Sequence, residues 1–595
     1  MMPEVTIVGA GSTGCTLALL LARYGIASTV IERRSSSFNH PAAHVINARS
    51  QEIWRRASPK LAAQITALAP PSEDVSIIQW STDLRGAPLG KIDLLSDSEQ
   101  VDRVQGHSPF LISHIGQHLL MPILWDALEQ EPLIDFRRGL SSQDVVFDGS
   151  RVTVHASGPE VTDIEIVSRY LIGADGANSR VRDTLGIQMR GPVLANMGSV
   201  FFHAELFGDT SRPLLNWIYS PSFCGVLIAH ANNDYVLMSP YLSKRQDIAA
   251  NSRSYWAQVL PRVIGEGVAF KIHSTGTWTM TSQTAEHFAV DNVILAGDAA
   301  HRFPHTGGFG LNSGVQDAHN LAWKLAAVLE GRAPATLLTS YECERRPVVE
   351  RFAAQSVANH FLLDEAMEGT GLSNRSLARV TAAFNHRVLD LIPAPIMRHV
   401  TDGLMRLATN RTSALLGNDA RARYRRATIR NRIPAQLEHF ASTGLEFGYA
   451  YSGPLIRSET TPQPVDGEGV VHYRPTTWPG ARLPHTWLVD DGDIVSSHDL
   501  LDLRDFTLFT SSPRSWHEVL PADIPVSVVG LDTAVAPDPY TVLDLFEVGS
   551  DGAVLVRPDG HVAWRTTAPA LAGAAELIDV VTSFGITRPT HRAAR

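Results

Sequence analysis

The chain has 595 residues, 44% of them hydrophobic and 19% charged, with 44 Gly, 35 Pro and 3 Cys; such a composition describes a soluble globular protein and excludes disordered, collagenous and disulfide-rich classes. A formal net charge of −10 provides no global basic field for nucleic acid or anionic lipid, and the length predicts about two to four domains. Cys15, Cys224 and Cys343 fit neither a disulfide framework nor a zinc site, so no metal is expected and a reducing cytoplasm is the expected compartment. The apolar run 17–22 is too short to span a bilayer, and Glu4 sits where a secretory signal would be basic, so neither membrane insertion nor export is expected.

Val5-Thr6-Ile7-Val8 reads as a buried parallel strand. It runs into Gly9-Ala10-Gly11-Ser12-Thr13-Gly14, a G-x-G-x-x-G placed after a strand and before a helix, where a dinucleotide site requires it. The helix is expected over 15–24, and a second strand, Ser28-Thr29-Val30-Ile31-Glu32, ends in a carboxylate. Gly9 allows the tight turn, Gly11 lets backbone approach a pyrophosphate, and Gly14 lets helix and strand pack closely. The helix N-terminus offers free N–H groups, and Glu32 can accept bonds from ribose hydroxyls. Gly9, Gly11, Ser12, Thr13, Gly14, Glu32 and Arg33 are therefore the residues expected around the dinucleotide.

Three further motifs follow in order. Gly173-Ala174-Asp175-Gly176 and Gly297-Asp298-Ala299-Ala300-His301 each place an aspartate after a strand-like run, where α/β ligands bind. Pro304-His305-Thr306-Gly307-Gly308-Phe309-Gly310-Leu311-Asn312 then leads into a helix with apolar Leu311, Val315, Ala318, Leu321 and Leu325, expected to start near Leu311. Its glycines keep side chains away from the positive helix end, so a planar, partly negative ring could meet it.

These motifs together resemble the FAD-dependent aromatic hydroxylases of the phenol hydroxylase and dichlorophenol hydroxylase type. The resemblance implies an α/β fold: a Rossmann-like FAD-binding domain with an inserted β-sheet substrate domain and a C-terminal thioredoxin-like domain. It implies FAD as cofactor, NAD(P)H as reductant and O2 as co-substrate. It places Asp298 at the ribityl hydroxyls, Asp175 at FAD or NAD(P)H, and Pro304, Gly308, Gly310, Leu311 and Asn312 around the flavin ring. Arg49, in Asn47-Ala48-Arg49, resembles the family arginine near the flavin, and Gln117 falls where a flavin-facing glutamine is common. Two departures stand out: Pro41 is followed by Ala42 where the family often has arginine, and Pro304 by His305 where it often has proline.

In the resembled enzymes a flavin C4a-hydroperoxide attacks an electron-rich ring, and the protein deprotonates the phenol and excludes water. His44 lies five residues before Arg49, a spacing at which such enzymes carry a polar residue acting on the substrate hydroxyl, so His44 is the candidate base. A hydrogen-bonded structural histidine is the other reading of the same residue. Trp217, Tyr219 and His305 are the candidate substrate contacts.

Strand-like runs at 198–206, 225–229 and 235–238 suggest the inserted sheet. The expected division is 1–75, 101–188 and 286–400 for FAD, 76–100 and 189–285 for substrate, 400–470 as helical segment and linker, and 471–595 as the tail. In the tail, 506–510 and 526–529 read as strands and 554–565 as a hairpin around Pro558-Asp559-Gly560. No cysteine follows Cys343, so the tail is expected to be redox-inactive. The expected activity is monooxygenation of a phenolic or polycyclic, polyketide-like aromatic. Baeyer–Villiger oxygenation of a polyketide ketone and a non-catalytic FAD scaffold are the alternatives. The expected partners are a small aromatic substrate and a second copy in a homodimer, with no nucleic acid and no membrane.

Overall fold

The run Val5–Val8 is buried at all four residues because it lies inside a six-stranded sheet, ordered 289–290, 293–295, 170–173, 5–8, 28–32 and 134–138. Every neighbouring pair is parallel except the first. The computed structural model describes residues 3–588 apart from 160, 209–211, 369, 371, 386–391, 460–468 and 532–538; part of the expected 400–470 linker therefore lies outside the described residues. Helix Ser12–Arg23 begins three residues before its expected start, with Gly11 as N-cap. The central helix Phe309–Leu329 begins two residues early, because Gly308 takes the left-handed conformation (φ +71°) as its cap. The two helices share one core with the sheet.

A seven-stranded sheet comes next, ordered 270–281, 193–204, 234–241, 223–229, 215–220, 77–81 and 90–93. Alternation divides its faces. Val200, Phe202, Tyr235 and Leu237 pack on Trp256 and Leu260 of helix Ser252–Ile264. Phe201, Val226, Ile228, Val236 and Met238 form the opposite apolar face, which looks toward the site described below.

The last sheet runs 526–530, 506–510, 553–556, 562–566, its first pair parallel and the others antiparallel. Helix Pro513–Val519 makes the crossover and helix Ala570–Ser583 follows the final strand. This is the thioredoxin-like order. It carries no cysteine and is fastened to the first domain by buried charge instead.

Candidate active site

The first turn after the leading strand has the geometry of a phosphate cradle. Gly9 has φ +104°, and a Cβ there would lie 2.4 Å from the Ala174 carbonyl oxygen; a Cβ on Gly14 would lie 2.0 Å from that of Gly9. A Cβ on Gly11 would meet nothing within 4 Å, and no side chain caps the helix that starts at Ser12. Its first N–H groups are thus open to an anion. Buried Glu32 accepts the N–H of Ala10 and of Arg34, both at 3.0 Å, keeping lone pairs for ligand hydroxyls. Arg33 is exposed beside it.

Asp175 accepts the N–H groups of Arg180 and Val181 at 2.7 and 3.2 Å on one oxygen, while its other oxygen is buried without a partner. Burial raises its carboxyl above the ordinary range. Asp298 stands exposed, one oxygen 3.9 Å from where a Gly310 Cβ would sit. The turn carrying Asp298 is fixed from below by Asp317, which accepts the Gly297 N–H at 3.0 Å, His301 Nε2 at 2.6 Å and Arg345 Nε at 2.7 Å. Against the cost of burial, His301 and Arg345 pull Asp317 down to about 2. No side chain caps helix Phe309–Leu329, and a Cβ on Gly308 would press on Val45 at 2.7 Å. The loop before it is pinned by Ser356, whose hydroxyl donates to the carbonyls of Pro304 and Thr306 at 3.0 and 2.6 Å. An open helix end, an exposed carboxylate and a glycine cradle fit the phosphates, hydroxyls and ring of FAD.

Several of the residues expected around the ligand also hold neighbouring segments together. The Arg49 guanidinium donates to Glu52 at 3.0 Å and to the Asp559 carbonyl at 2.8 Å, while its Nε is buried without a partner. Asn312 donates to the carbonyls of Val45 and Gly308 and accepts from Asn47 N–H and Ser50 Oγ, so its side chain is fully engaged within the protein. Gln117 opens helix Gln117–Gln130 and gives its N–H to Ala43 at 2.8 Å. Leu311 is half-buried against the main core. Tyr219 packs beside Trp217 in a cluster with Trp80 and Leu363. There burial pushes its hydroxyl far above the usual range.

A small chamber of about 80 Å³ lies between the loop 305–308 and the apolar face of the seven-stranded sheet. His44, Val45, His114, Trp217, Met238 and His305 are among its walls. Two-residue strands pair Val45 with His114, which brings His44 Nδ1 to 3.4 Å from His114 Nδ1. The His230 ring stands edge-on to His44 at 5.6 Å, and Trp278 edge-on to His305 at 6.2 Å. Burial, with His305 nearby, lowers His44 to about 4; burial and His44 lower His114 to about 3; burial and His360 lower His305 to about 4. All three are neutral imidazoles at physiological pH. Sequence reasoning missed His114, and its only signal was a position three residues before Gln117.

A family model described as FAD binding domain matches residues 2–356, and one described as aromatic-ring hydroxylase, C-terminal, matches 476–584. The 2,4-dichlorophenol 6-monooxygenase of Cupriavidus pinatubonensis is 29% identical, over 97% of this chain and 95% of its own. The tetracenomycin B2 monooxygenase-dioxygenase of Streptomyces olivaceus is 30% identical over 94% and 95%. The crystal structure of the flavin-dependent monooxygenase PieE with FAD and substrate superposes with TM-score 0.83 at 29% identity, over 98% of this chain and 99% of that one. With the cradle, the open helix end and both family models in register, the chain belongs to the FAD-dependent aromatic-ring hydroxylases, a monooxygenase family that uses NAD(P)H and O2.

Proposed function

We propose that the chain hydroxylates an aromatic ring bearing a phenolic hydroxyl, held in the chamber beside His44, with His44 accepting the phenol proton. The observation that carries this reading is the His44–His114 pair, two neutral imidazoles 3.4 Å apart in the wall of that chamber. If His44 donates its Nδ1–H to His114 Nδ1, its Nε2 is left as the acceptor. Once His44 is protonated, the His114 lone pair steadies the imidazolium. Apolar Val45, Trp217 and Met238 exclude water from the reacting ring.

Bound FAD, reduced by NAD(P)H, supplies the activation of O2. Gly9 to Gly14 would hold its pyrophosphate and Glu32 its adenosine ribose, Asp298 the ribityl hydroxyls, and the open end of helix Phe309–Leu329 the pyrimidine edge. The uncompensated oxygen of Asp175 takes a cofactor or nicotinamide-nucleotide hydroxyl. His305 and Trp217 touch substrate. The names of the relatives span a single-ring phenol and tetracenomycin B2, and both kinds of ring are compatible with the site's chemistry.

The same reading divides the chain into the FAD-binding, substrate and thioredoxin-like parts expected from its sequence. Sheet membership supports it, since strands 77–81 and 90–93 join the inserted sheet. It places a homodimeric enzyme in the cytoplasm, acting on small molecules without nucleic acid. The charge of −10 supports this, and no helix among the described residues is long and apolar enough to cross a membrane. The test is a panel of phenols with FAD-loaded protein, following NAD(P)H oxidation and hydroxylated product together. Oxidation that rises with a phenol and matches product is expected; oxidation that no aromatic ligand stimulates overturns the reading.

A further inference from the structure

The net charge of −10 hides one segment of the opposite sign. Residues 394–432 hold nine arginines against two aspartates, with no lysine or glutamate, a formal charge of +7. An overall charge repels an anionic surface only where it is evenly spread. The segment folds as helix Ala394–Asn410, the short turn Arg411–Leu415 and helix Ala420–Arg432. Arg398 and Arg432 pair with Asp247 and Glu368. Arg406, Arg421, Arg423 and Arg425 face solvent at least in part and have no ion pair among the described residues.

The same segment carries an apolar stripe. Ile396, Val400, Leu404 and Leu407 recur at intervals of four, four and three, which is one face of a helix. They are 56%, 45%, 42% and 69% exposed. The helix is seated on the protein by other positions, Met397 and Thr401, which are buried. Leu416 and Tyr424 follow in the chain, exposed in turn. Six of the fourteen large apolar side chains exposed among the described residues thus fall between 394 and 432. Single exposed apolar residues need no explanation, but a cluster marks an interaction surface. On the same helix Arg398, His399 and Arg406 help to line a hollow of about 320 Å³. The Nε of Arg398 is buried there without a partner, while Asp402 is already taken by the Gln246 amide at 2.7 Å. The free polar groups of the hollow are donors, suited to an oxyanion.

Charge and shape choose between occupants. A second copy seated on this face would set arginines against arginines. Nucleic acid would meet the arginines and leave Val400 and Leu407 wet. An anionic lipid surface answers both features, since acyl chains cover the stripe and phosphate oxygens take the guanidinium groups, as for an amphipathic helix lying in the interface plane. Tyr424, apolar in its ring and polar at its tip, suits the same depth. We propose that residues 394–432 rest on an anionic membrane surface, with Ile396, Val400, Leu404 and Leu407 below the headgroups and Arg406, Arg421 and Arg425 at the phosphates. The segment lies on the bilayer and does not cross it, as no helix among the described residues is long and apolar enough to do so. None of these residues lines the chamber beside His44, so the proposal stands apart from the reading of the reaction.

The test mixes the FAD-loaded full-length enzyme with vesicles of phosphatidylglycerol or of phosphatidylcholine and reads the fraction that floats with lipid. Binding to phosphatidylglycerol is expected, at least about tenfold weaker to phosphatidylcholine, and weakened by salt. Val400→Asp combined with Leu407→Asp is expected to raise the lipid concentration for half-binding at least about tenfold. Arg421→Gln combined with Arg425→Gln is expected to raise it about severalfold, with FAD occupancy at the wild-type ratio in both variants. Should the first pair fail to fold, Leu407→Asp alone, at the most exposed of the four positions, makes the same comparison. No vesicle binding, equal binding to the two lipids, or binding that the aspartates leave unchanged overturns the proposal. So does a wild-type dimer in sedimentation that Leu407→Asp turns into a monomer, because a second copy then covers the stripe.

Discussion

Arg557 and Glu344 meet face to face where the C-terminal sheet joins the long helix Thr339–Ala366, both fully buried, with two N–H···O bonds of 2.7 and 2.8 Å. Lys324 adds a third bond to Glu344 at 2.8 Å, and Asp559 takes the remaining side of Arg557. Two positive and two negative side chains close the group.

Removing one partner leaves an uncompensated buried charge, which costs about 3–5 kcal/mol. Arg557→Met is expected to lower the thermal midpoint clearly. Glu344→Gln combined with Arg557→Met is expected to lose less than the sum of the two single changes. Differential scanning calorimetry of the three variants checks this, and additive losses would mean that the two side chains do not interact. The pH sign follows. Despite burial, Arg557 and Lys324 hold Glu344 down to about 2, from an ordinary 4.5. Its contribution is therefore present above 4.5 and lost as pH falls toward 2.

Glu446 has the opposite sign. Burial raises its folded carboxyl to about 7 from 4.5, so the stability linked to it is full below 4.5 and lost as pH rises through 7. Glu446→Gln removes that loss. The variant is expected to gain about 1–3 kcal/mol relative to wild type at pH 8 over its difference at pH 4. Unfolding midpoints at the two pH values measure it; a difference that does not change with pH contradicts the burial argument.

Gly308→Ala is expected to lower FAD occupancy severalfold, because the cap residue has φ +71° and its new Cβ would press on Val45 at 2.7 Å. The ratio of flavin absorption to protein absorption reads this directly. Gly11→Ala, with open space around it, is expected to disturb the protein fold less than Gly14→Ala, whose Cβ would run into the Gly9 carbonyl. Circular dichroism of the two apoproteins separates a blocked ligand from a broken turn.

How much was legible in the sequence follows the range of each interaction. The strand–glycine–helix unit at 5–32 is local, and its glycines and Glu32 stand where spacing predicts. Arg49 is legible by its motif but its partners are only half so: Glu52 is three residues away, whereas the Asp559 carbonyl is 510 away, in the C-terminal sheet's hairpin. His44 is legible by its spacing from Arg49, while His114 is brought to it by a strand pair across 70 residues. Trp217 and Tyr219 share a strand face, yet only Trp217 reaches the chamber; alternation gives the face, not how far along it the cavity extends. Glu446 carries no motif, and only its burial makes it conspicuous.

His44→Ala is expected to lower kcat about 10²-fold, the usual weight of a general base, with FAD occupancy and substrate Kd near wild type. His114→Ala is expected to lower kcat less, since it steadies the imidazolium without touching the phenol. An equal rise in Kd for both variants would make the pair a packing feature.

The most direct measurement is product analysis under ¹⁸O₂ with FAD-loaded wild type and His44→Ala, NAD(P)H oxidation being counted alongside. The expected result is one ¹⁸O atom in a new ring hydroxyl per NAD(P)H consumed by wild type, falling steeply in the variant. An unlabelled product, label inserted beside a ketone, or NAD(P)H consumption yielding only hydrogen peroxide with every aromatic would contradict the account.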